Sequence, residues 1–306
     1  MVASEEQSRH GRICYLTVSY SGDIDRFALL RRSLTLFSPG IDHVLYVDQD
    51  DLPLFMDRFR TEQGLTIHST RNVLQPQIER ARKFWRRLRK PFTERFGWRL
   101  FVDVKLSGWR IQQVVKLAAA ARVPYDAIAF LDSDDFLCGN MTAQDYFIGD
   151  DLVLLETPAR TYEDYLFDSF RQSLTGHSLM DEASCFNYIH TPPRFLRRTV
   201  ARTLAHLEAT HVCWQRAVIA AEMPSEYALL GWTARVLENY AGYKHNPMGP
   251  QNWAYVVKSS DQLDQAMETC RSERGKRAFF LIQSNMGDSQ YIPRARALIE
   301  ELAQRQ

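Results

Sequence analysis

Short apolar runs alternate with helix-forming segments near the start of the chain, and this order constrains the fold more than any other feature. Strands are predicted at 13–19, 43–47 and 65–68, where β-branched and aromatic residues are concentrated. Between them, apolar residues recur at helical spacing over 27–37, and a shorter helix is predicted over 52–60. Strand–helix–strand order with short connections predicts a parallel sheet with right-handed crossovers.

Three carboxylates directly follow a further predicted strand at 127–131. They belong to Asp132, Asp134 and Asp135, with Ser133 among them. Open α/β sheets place their ligands at the carboxyl ends of strands. A divalent cation such as Mg²⁺ or Mn²⁺ prefers oxygen ligands and would relieve the repulsion between these acids. The alternative is that Asp134 and Asp135 begin a solvated turn or cap the next segment.

The composition is that of an ordinary globular protein. Of 306 residues, 45% are hydrophobic and 25% are charged, which allows a sizeable core. The 38 basic and 37 acidic residues give a net charge of +1, so no overall field favours a nucleic-acid partner. We expect a single domain over 1–306 with two unequal halves that meet near residue 150.

The cysteines and the absence of long apolar runs indicate the compartment. The five cysteines are odd in number and never form a CxxC pair, which argues against a disulfide framework or a zinc site. The polar start of the chain carries no apolar core of a signal peptide, and no apolar run approaches the roughly 18 residues that span a bilayer. We therefore expect a cytoplasmic protein whose membrane contact is at most peripheral.

Further elements are expected along the rest of the chain. Helices are predicted at 78–96, 111–121, 194–206, 213–221 and 225–240, and strands at 152–155, 253–257 and 278–282.

Three segments together resemble the GT-A superfamily of nucleotide-sugar glycosyltransferases, and in particular a bacterial glycosyltransferase-like group of otherwise unknown function. They are ICYLTVSY at 13–20, GWRIQQVVKL at 108–117 ahead of FLDSD at 130–134, and PSEYALLG at 224–231. The resemblance implies a GT-A (Rossmann-like), mostly parallel sheet flanked by helices. It also implies a nucleotide-sugar-binding half over 12–150 and an acceptor-binding half over 151–306.

The resemblance further implies a metal site. Its DxD motif matches Asp132, which would touch the ribose or donor sugar, and Asp134, which would ligate Mn²⁺ or Mg²⁺. Asp135 would ligate directly or through water, or is otherwise a loop acid. A late histidine often completes such sites, and His245 lies in the best-placed predicted loop, at 243–247.

The first strand–helix turn is expected to meet the nucleotide. Thr17, Ser19 and Tyr20 offer hydroxyls and a ring for a uracil-like base, and Asp23 is a candidate acceptor from the ribose. The alternative is an ordinary turn. The chain lacks a GxGxxG motif at this turn, so no dinucleotide fingerprint is present.

The helix at 111–121 carries polar residues beside its apolar face. Gln113 and Lys116, with Gln112 in the same turn, are candidate donor-binding residues, and Lys116 is suited to a phosphate. The alternative is a solvated helical face. Trp109 is expected to be a core or hinge aromatic rather than a sugar platform.

Glu226 follows Ser225, a predicted N-cap, so the helix dipole alone explains a carboxylate there. The functional interpretation is that Glu226 is the general base for an acceptor hydroxyl, which requires partial burial to raise its pKa. Asn187 and His190 are candidates for the acceptor side.

The segment from Arg80 to Lys90 is strongly basic and contains Phe84 and Trp85. It is suited to an anionic membrane surface or an anionic glycan, but charged helix faces are usually just solvated, and that explanation comes first.

These observations favour a metal-dependent glycosyltransferase that moves a sugar from a UDP-sugar to a hydroxyl of a bacterial surface glycan or glycolipid. One alternative is a DxD metal-dependent phosphatase or phosphoryl-transfer enzyme, but such enzymes commonly carry the motif on their first strand. The other is a non-catalytic nucleotide- or glycan-binding protein of the same fold.

Overall fold

A computed structural model describes residues 13–84, 108–158, 170–176, 186–189, 191–221, 224–246, 254–273, 277–282 and 287–305. The main sheet has five strands in the order β10-β4-β1-β2-β3. They are β1 (Ile13–Ser19), β2 (Asp42–Val47), β3 (Leu65–Ser69), β4 (Ala127–Phe130) and β10 (Arg194–Leu196). The first four are parallel and β10 is antiparallel, so the mostly parallel α/β sheet predicted from the sequence is confirmed.

Smaller sheets surround this one. Their strands are β5 (Asp135–Leu137), β6 (Phe147–Ile148), β7 (Asp151–Leu155), β8 (Thr157–Pro158), β9 (Phe186–Asn187), β11 (Tyr243–Asn246), β12 (Ala254–Val257) and β13 (Phe279–Ile282). They form the groups β11-β7-β6, β12-β13-β5 and β8-β9.

Eight α-helices within the described residues flank the sheets. They are α1 (Ile24–Phe37), α2 (Leu52–Phe59), α3 (Gly108–Ala120), α4 (Arg197–Thr210), α5 (Trp214–Ala220), α6 (Glu226–Trp232), α7 (Ser260–Ser272) and α8 (Asp288–Ala303). Residues 76–84 and 170–175 are also helical. Among the described residues, none of the helices combines the length and the apolar character needed to cross a bilayer.

Two predicted helices differ from the structure. The helix predicted at 194–206 starts later, because residues 194–196 form β10 and pair with β4. The helix predicted at 225–240 ends as an α-helix at Trp232, continues as a π-helix over Thr233–Leu237, and is followed by left-handed backbone at Asn239 and Tyr240. The helix predicted at 78–96 is described only to residue 84, and its remainder lies outside the described residues.

The last part of the described chain packs back on the first part. Strand β13 runs antiparallel to β5, which follows the acidic turn at 132–134, and α8 packs along α1. Arg32 of α1 binds Glu300 of α8 with its Nε 2.8 Å from a carboxylate oxygen. This C-terminal unit, residues 254–303, therefore supports the acidic turn from the side of α1.

Candidate active site at the carboxyl edge of the main sheet

The carboxyl ends of β1 and β4 meet at the acidic turn. The two strands are parallel neighbours, with Leu16 opposite Phe130, so Ser19 and the residues after Phe130 reach the same edge of the sheet. The hydroxyl of Ser133 donates to the hydroxyl of Ser19 across 2.9 Å. The predicted position of the acidic turn therefore corresponds to the place where open α/β sheets bind ligands.

Asp135 fixes the turn from inside. Its side chain is buried, and one carboxylate oxygen accepts the backbone N–H of Asp132 at 2.8 Å. The N–H of Ile282, at the end of β13, donates to the carbonyl of Asp134 at 3.3 Å. The other carboxylate oxygen of Asp135, Oδ1, has no hydrogen-bond partner. Asp135 is therefore not part of a solvated turn, since it is the buried first residue of β5.

The acids of the turn repel one another. Burial, and then the charge of Asp132, raise the pKa of Asp134 to about 7. Burial also raises the pKa of Asp135 well above its ordinary value, with Asp134 and Asp132 as further causes. A shift in this direction means that the folded chain disfavours charge on both carboxyls unless a cation is nearby.

A buried ammonium group lies on the α3 side of the turn. The Nζ of Lys116 is 2.9 Å from Oδ1 of Asp132, 3.0 Å from Oε1 of Glu226 and 2.9 Å from the hydroxyl of Tyr227. These contacts use all three of its donors. Burial disfavours the charged ammonium, but Asp132 and Glu226 outweigh it and raise the pKa of Lys116 well above its ordinary value.

Two glutamines extend this network. The amide nitrogen of Gln112 donates to Oδ1 of Asp132 at 3.2 Å. Placed with its nitrogen toward Glu226, the amide of Gln113 donates to that carboxylate, 3.2 Å from Oε1. Gln113 and Lys116 are both buried, so the alternative of a solvated helical face is wrong for them.

Glu226 is held in the interior. Ser225 caps α6 as predicted, since its hydroxyl accepts the N–H of Ala228 at 3.3 Å. Only 1% of the Glu226 side chain is exposed. Burial raises the pKa of Glu226, against the opposing effect of Lys116. The raised pKa is what a general base requires, but Glu226 contacts Lys116 and Gln113 rather than open space.

The predicted nucleotide-binding residues fall into two groups. Ser19, Tyr20 and Asp23 lie at or just after the carboxyl end of β1, and Tyr20 is 51% exposed. Thr17 is fully buried and its hydroxyl lies 2.9 Å from Nε2 of His43. This placement leaves Thr17 no exposed surface for a ligand.

Sequence reasoning missed a group on the α1 side of the turn. Nε of Arg26 donates to Asp288, the first residue of α8, at 2.6 Å, and the guanidinium is 3.7 Å from Asp23. Burial raises the pKa of Asp23, Arg26 opposes this, and Asp288 and Asp132 add to it. No local pattern marked Arg26 or Asp288, because they meet only when α8 packs on α1.

His245 belongs to a different group of residues. The segment predicted as a loop at 243–247 forms β11 over residues 243–246, and His245 contacts the carboxylate of Glu156 through Nε2. Its ring stacks on Tyr240. Its described contacts do not include Asp132 or Asp134. Glu156 directly follows β7. Because polar residues at strand ends often line ligand sites, its position in the sequence was a signal that could have marked it.

Of the two acceptor-side candidates, only Asn187 lies within the described residues. The side-chain oxygen of Asn187 accepts the N–H of Ile189 at 2.7 Å. His190 lies outside the described residues.

The carboxylate oxygens of the turn are suitable ligands for a divalent cation. Asp132 and Asp134 supply hard oxygen ligands. Behind them, the buried Oδ1 of Asp135 has no hydrogen-bond partner. Within the described part of the chain, no three His, Cys, Asp or Glu side chains are grouped to hold an ion. Mg²⁺ is commonly held by one or two carboxylates together with substrate phosphates and water, so a two-carboxylate set is compatible with it.

Two basic residues of the Arg80–Lys90 segment contact the rest of the protein, whereas Arg80 and Phe84 are exposed. Arg82 is buried and pairs with the carboxylate of Asp48, which directly follows β2. Lys83 lies 3.5 Å from Asp50. For these two residues the contacts are internal, while residues 85–90 lie outside the described residues. Trp109 is 41% exposed and is therefore not a core residue.

These observations define a mixed α/β protein with a Rossmann-like, mostly parallel sheet that carries an acidic turn at its carboxyl edge. The chain belongs to the family of unknown function DUF6492, whose model matches residues 13–301. A comparison with curated proteins finds no match.

Two solved glycosyltransferase structures are similar in fold. One is mouse xyloside xylosyltransferase 1 in its apo form, with a TM-score of 0.42, 11% identity, and coverage of 90% of this chain and 99% of that one. The other is the apo structure of the bifunctional glycosyltransferase WbbM, with a TM-score of 0.46, 10% identity, and coverage of 97% of this chain and 52% of that one. Both likenesses concern the fold alone.

Proposed function

We propose that this chain is a GT-A-type glycosyltransferase that moves a sugar from a nucleoside-diphosphate sugar, with UDP as the expected carrier, to a hydroxyl of a bacterial surface glycan or glycolipid. The observation that carries the proposal is the acidic turn after β4, whose Asp132 is fixed by the buried ammonium of Lys116. A preorganised charge at a sheet edge is suited to a reaction in which negative charge grows on a leaving diphosphate.

Asp132 and Asp134 would hold the Mn²⁺ or Mg²⁺ ion, which supplies positive charge to the departing diphosphate. The role of the chain's own residues is to fix these two carboxylates. Lys116 and Gln112 both bind Oδ1 of Asp132, and Asp135 binds its backbone N–H. The carboxylate of Asp132 is therefore held before any donor arrives.

Lys116 acts in this proposal through Asp132 rather than by direct contact with a phosphate. All three of its donors are already used by Asp132, Glu226 and Tyr227. Glu226 in turn provides the second negative charge that keeps a buried ammonium protonated. We therefore assign Glu226 a positioning role, while the general-base role predicted from the sequence requires contact with an acceptor hydroxyl.

Ser19, Tyr20 and Asp23 would form the nucleoside side of the edge. Tyr20 is the exposed aromatic among them and offers a ring face for a base. We place the reaction in the cytoplasm, with any membrane contact peripheral and made through the basic segment from Arg80 to Lys90.

The direct test is a panel of nucleoside diphosphates and nucleotide sugars, scored for Mn²⁺-dependent thermal stabilisation and for slow hydrolysis to the free sugar. Stabilisation by one nucleotide together with hydrolysis of its sugar derivative is the expected result. Binding without turnover would favour the non-catalytic protein. Hydrolysis of simple phosphate esters alone would favour a phosphatase and would refute the transferase.

A further inference from the structure

Glu156 is a buried carboxylate outside the acidic turn, and two hydroxyl groups and an imidazole contact it. Its side chain is 1% exposed. The hydroxyl of Tyr240 lies 3.1 Å from both of its oxygens, Nε2 of His245 contacts Oε1, and the hydroxyl of Tyr188 also hydrogen-bonds to it. The carboxylate is thereby satisfied by three side chains, two from the turn and strand at 240–245 and one from Tyr188.

The backbone is bent to bring two of these rings together. After α6 the chain forms the π-helix Thr233–Leu237, and then Asn239 and Tyr240 take φ angles of 46° and 57°. Such backbone is costly for residues other than glycine, and π-helical turns are frequent at functional sites. The following strand β11 pairs with β7, which places His245 opposite Leu154 and beside Glu156. The strained turn and the strand pairing together set the position of both rings.

The rings of Tyr240 and His245 form a fixed aromatic surface. Their centroids are 5.8 Å apart and their planes differ by 26°. The His245 side chain is 43% exposed, so this surface reaches solvent. A polar atom of each ring is bound to Glu156, which fixes where that part of the ring lies. Burial, and then the charge of Glu156, raise the pKa of Tyr240 to about 12, so its hydroxyl remains a donor.

Helix α6 connects this surface to the acidic turn. At its first residue, Glu226 binds Lys116. At Gly231 the backbone touches Tyr188 so closely that a Cβ atom there would lie 2.2 Å from the ring. The five helical steps from Glu226 to Gly231 span about 7.5 Å along the helix axis.

We propose that Tyr240 and His245, fixed by Glu156, form a platform that binds a pyranose ring of the carbohydrate acceptor. The apolar C–H face of a pyranose packs on aromatic faces, and rings that are already fixed lose little entropy on binding. The assignment to the acceptor rests on the proposed function, because the acidic turn is taken there as the donor site.

The test uses the full chain and a set of methyl glycosides of common hexoses, with saturation-transfer NMR as the readout. Tyr240→Gly removes the ring and also relieves the left-handed backbone at this position, so the fold is expected to survive. At least one glycoside should receive saturation in the natural protein, and its affinity should fall about 2- to 13-fold in Tyr240→Gly. Tyr240→Phe keeps the ring and should retain most of the binding.

Tyr125→Ala is the matched control. The hydroxyl of Tyr125 donates to a carboxylate, that of Asp42, at 2.8 Å, but at the opposite edge of the sheet. This variant should bind the glycosides as the natural protein does. No saturation of any glycoside in the natural protein, or equal saturation in Tyr240→Gly, would overturn the platform.

The nucleotide panel separates the two proposals. If nucleotide sugars bind and are hydrolysed while Tyr240→Gly leaves glycoside binding unchanged, the platform is wrong and the transferase stands. If no nucleotide binds but Tyr240→Gly loses the glycoside signal, the platform stands as a glycan site and the transferase is wrong.

Discussion

The ammonium of Lys116 lies 3.0 Å from a carboxylate oxygen of Glu226, and both side chains are almost completely buried. The pair connects α3 to α6 beneath the acidic turn. Removing one member of a buried ion pair leaves the other charge without compensation, which is more damaging than losing an exposed pair. This contact therefore affects both the stability of the protein and the position of Asp132.

Lys116→Met should lower the free energy of unfolding by about 3–5 kcal/mol, because Asp132 and Glu226 then lose their shared counter-charge. Urea unfolding followed by circular dichroism measures this. Arg58→Met is the control, since Arg58 forms an exposed ion pair with Asp25, and it should cost under about 1 kcal/mol. Equal costs for the two variants would show that the buried network contributes little.

Asp134→Asn should abolish Mn²⁺-dependent binding of the nucleoside diphosphate, with a loss of at least about 10-fold in affinity. The free energy of unfolding without metal should be unchanged or higher, because the raised pKa of Asp134 shows that its charge is disfavoured in the fold. Titration calorimetry measures the affinity, with Asp57→Asn, an exposed carboxylate of α2, as the control. Unchanged affinity would remove Asp134 from the proposed metal site.

Glu226→Gln should weaken donor binding and donor hydrolysis together, because Lys116 would lose one of the two charges that fix it beneath Asp132. The exposed Glu208→Gln of α4 is the matched control. Donor affinity and transfer to an acceptor are measured separately. Full donor affinity with transfer lost would instead establish Glu226 as the general base.

Gly231→Ala should lower the free energy of unfolding by about 1–3 kcal/mol, since the added Cβ would overlap the ring of Tyr188. Gly108→Ala at the start of α3 is the paired control, because nothing lies within 4 Å of its added Cβ. That variant should be as stable as the natural protein or slightly more stable. Thermal unfolding of both variants decides whether α6 and Tyr188 are as closely packed as described.

His43 should give the protein a defined sensitivity to acid. Its side chain is fully buried, and burial, and then Arg31, lower its pKa well below the ordinary value. The unfolded chain therefore binds a proton that the folded chain does not. The stabilisation that comes from the neutral His43 is fully present above about pH 6.5. As the pH decreases below this value, the free energy of unfolding decreases by at most about 1.4 kcal/mol per pH unit.

This contribution is measured as a difference between two proteins. Urea unfolding of the natural protein and of His43→Gln, each at about pH 7.5 and about pH 5.5, gives the two pH dependences. The natural protein should lose more stability over this interval. Equal losses would mean that His43 is protonated inside the fold.

The sequence was sufficient for four of the five strands of the main sheet because their signals are local, whereas β10 was predicted as the start of a helix. The strands at 13–19 and 43–47 are bounded by abrupt changes from apolar to polar residues, and the structure has β1 over 13–19 and β2 over 42–47. Helix α8 was missed although it has 16 residues. It contains Pro293, which normally indicates a helix end, and packing against α1 overrides that preference.

The residues of the candidate site were predictable from the sequence, but the contacts between them were not. Asp132, Lys116 and Glu226 were each marked by a strand end, a helical spacing or an N-cap, and the structure brings them together. Their direct contacts could not be predicted, because they depend on how α3, α6 and β4 pack. The resemblance implied that His245 is a metal ligand together with Asp132 and Asp134. In the structure, the pairing of β11 with β7 places it beside Glu156 instead.

The hydrogen bond from Ile282 to Asp134 has a consequence for biosynthesis. A ribosome must deliver β13 before the loop that carries the acids receives its final backbone support. Nascent chains that end before this strand would contain every predicted ligand of the metal and still lack the scaffold that holds the loop in place.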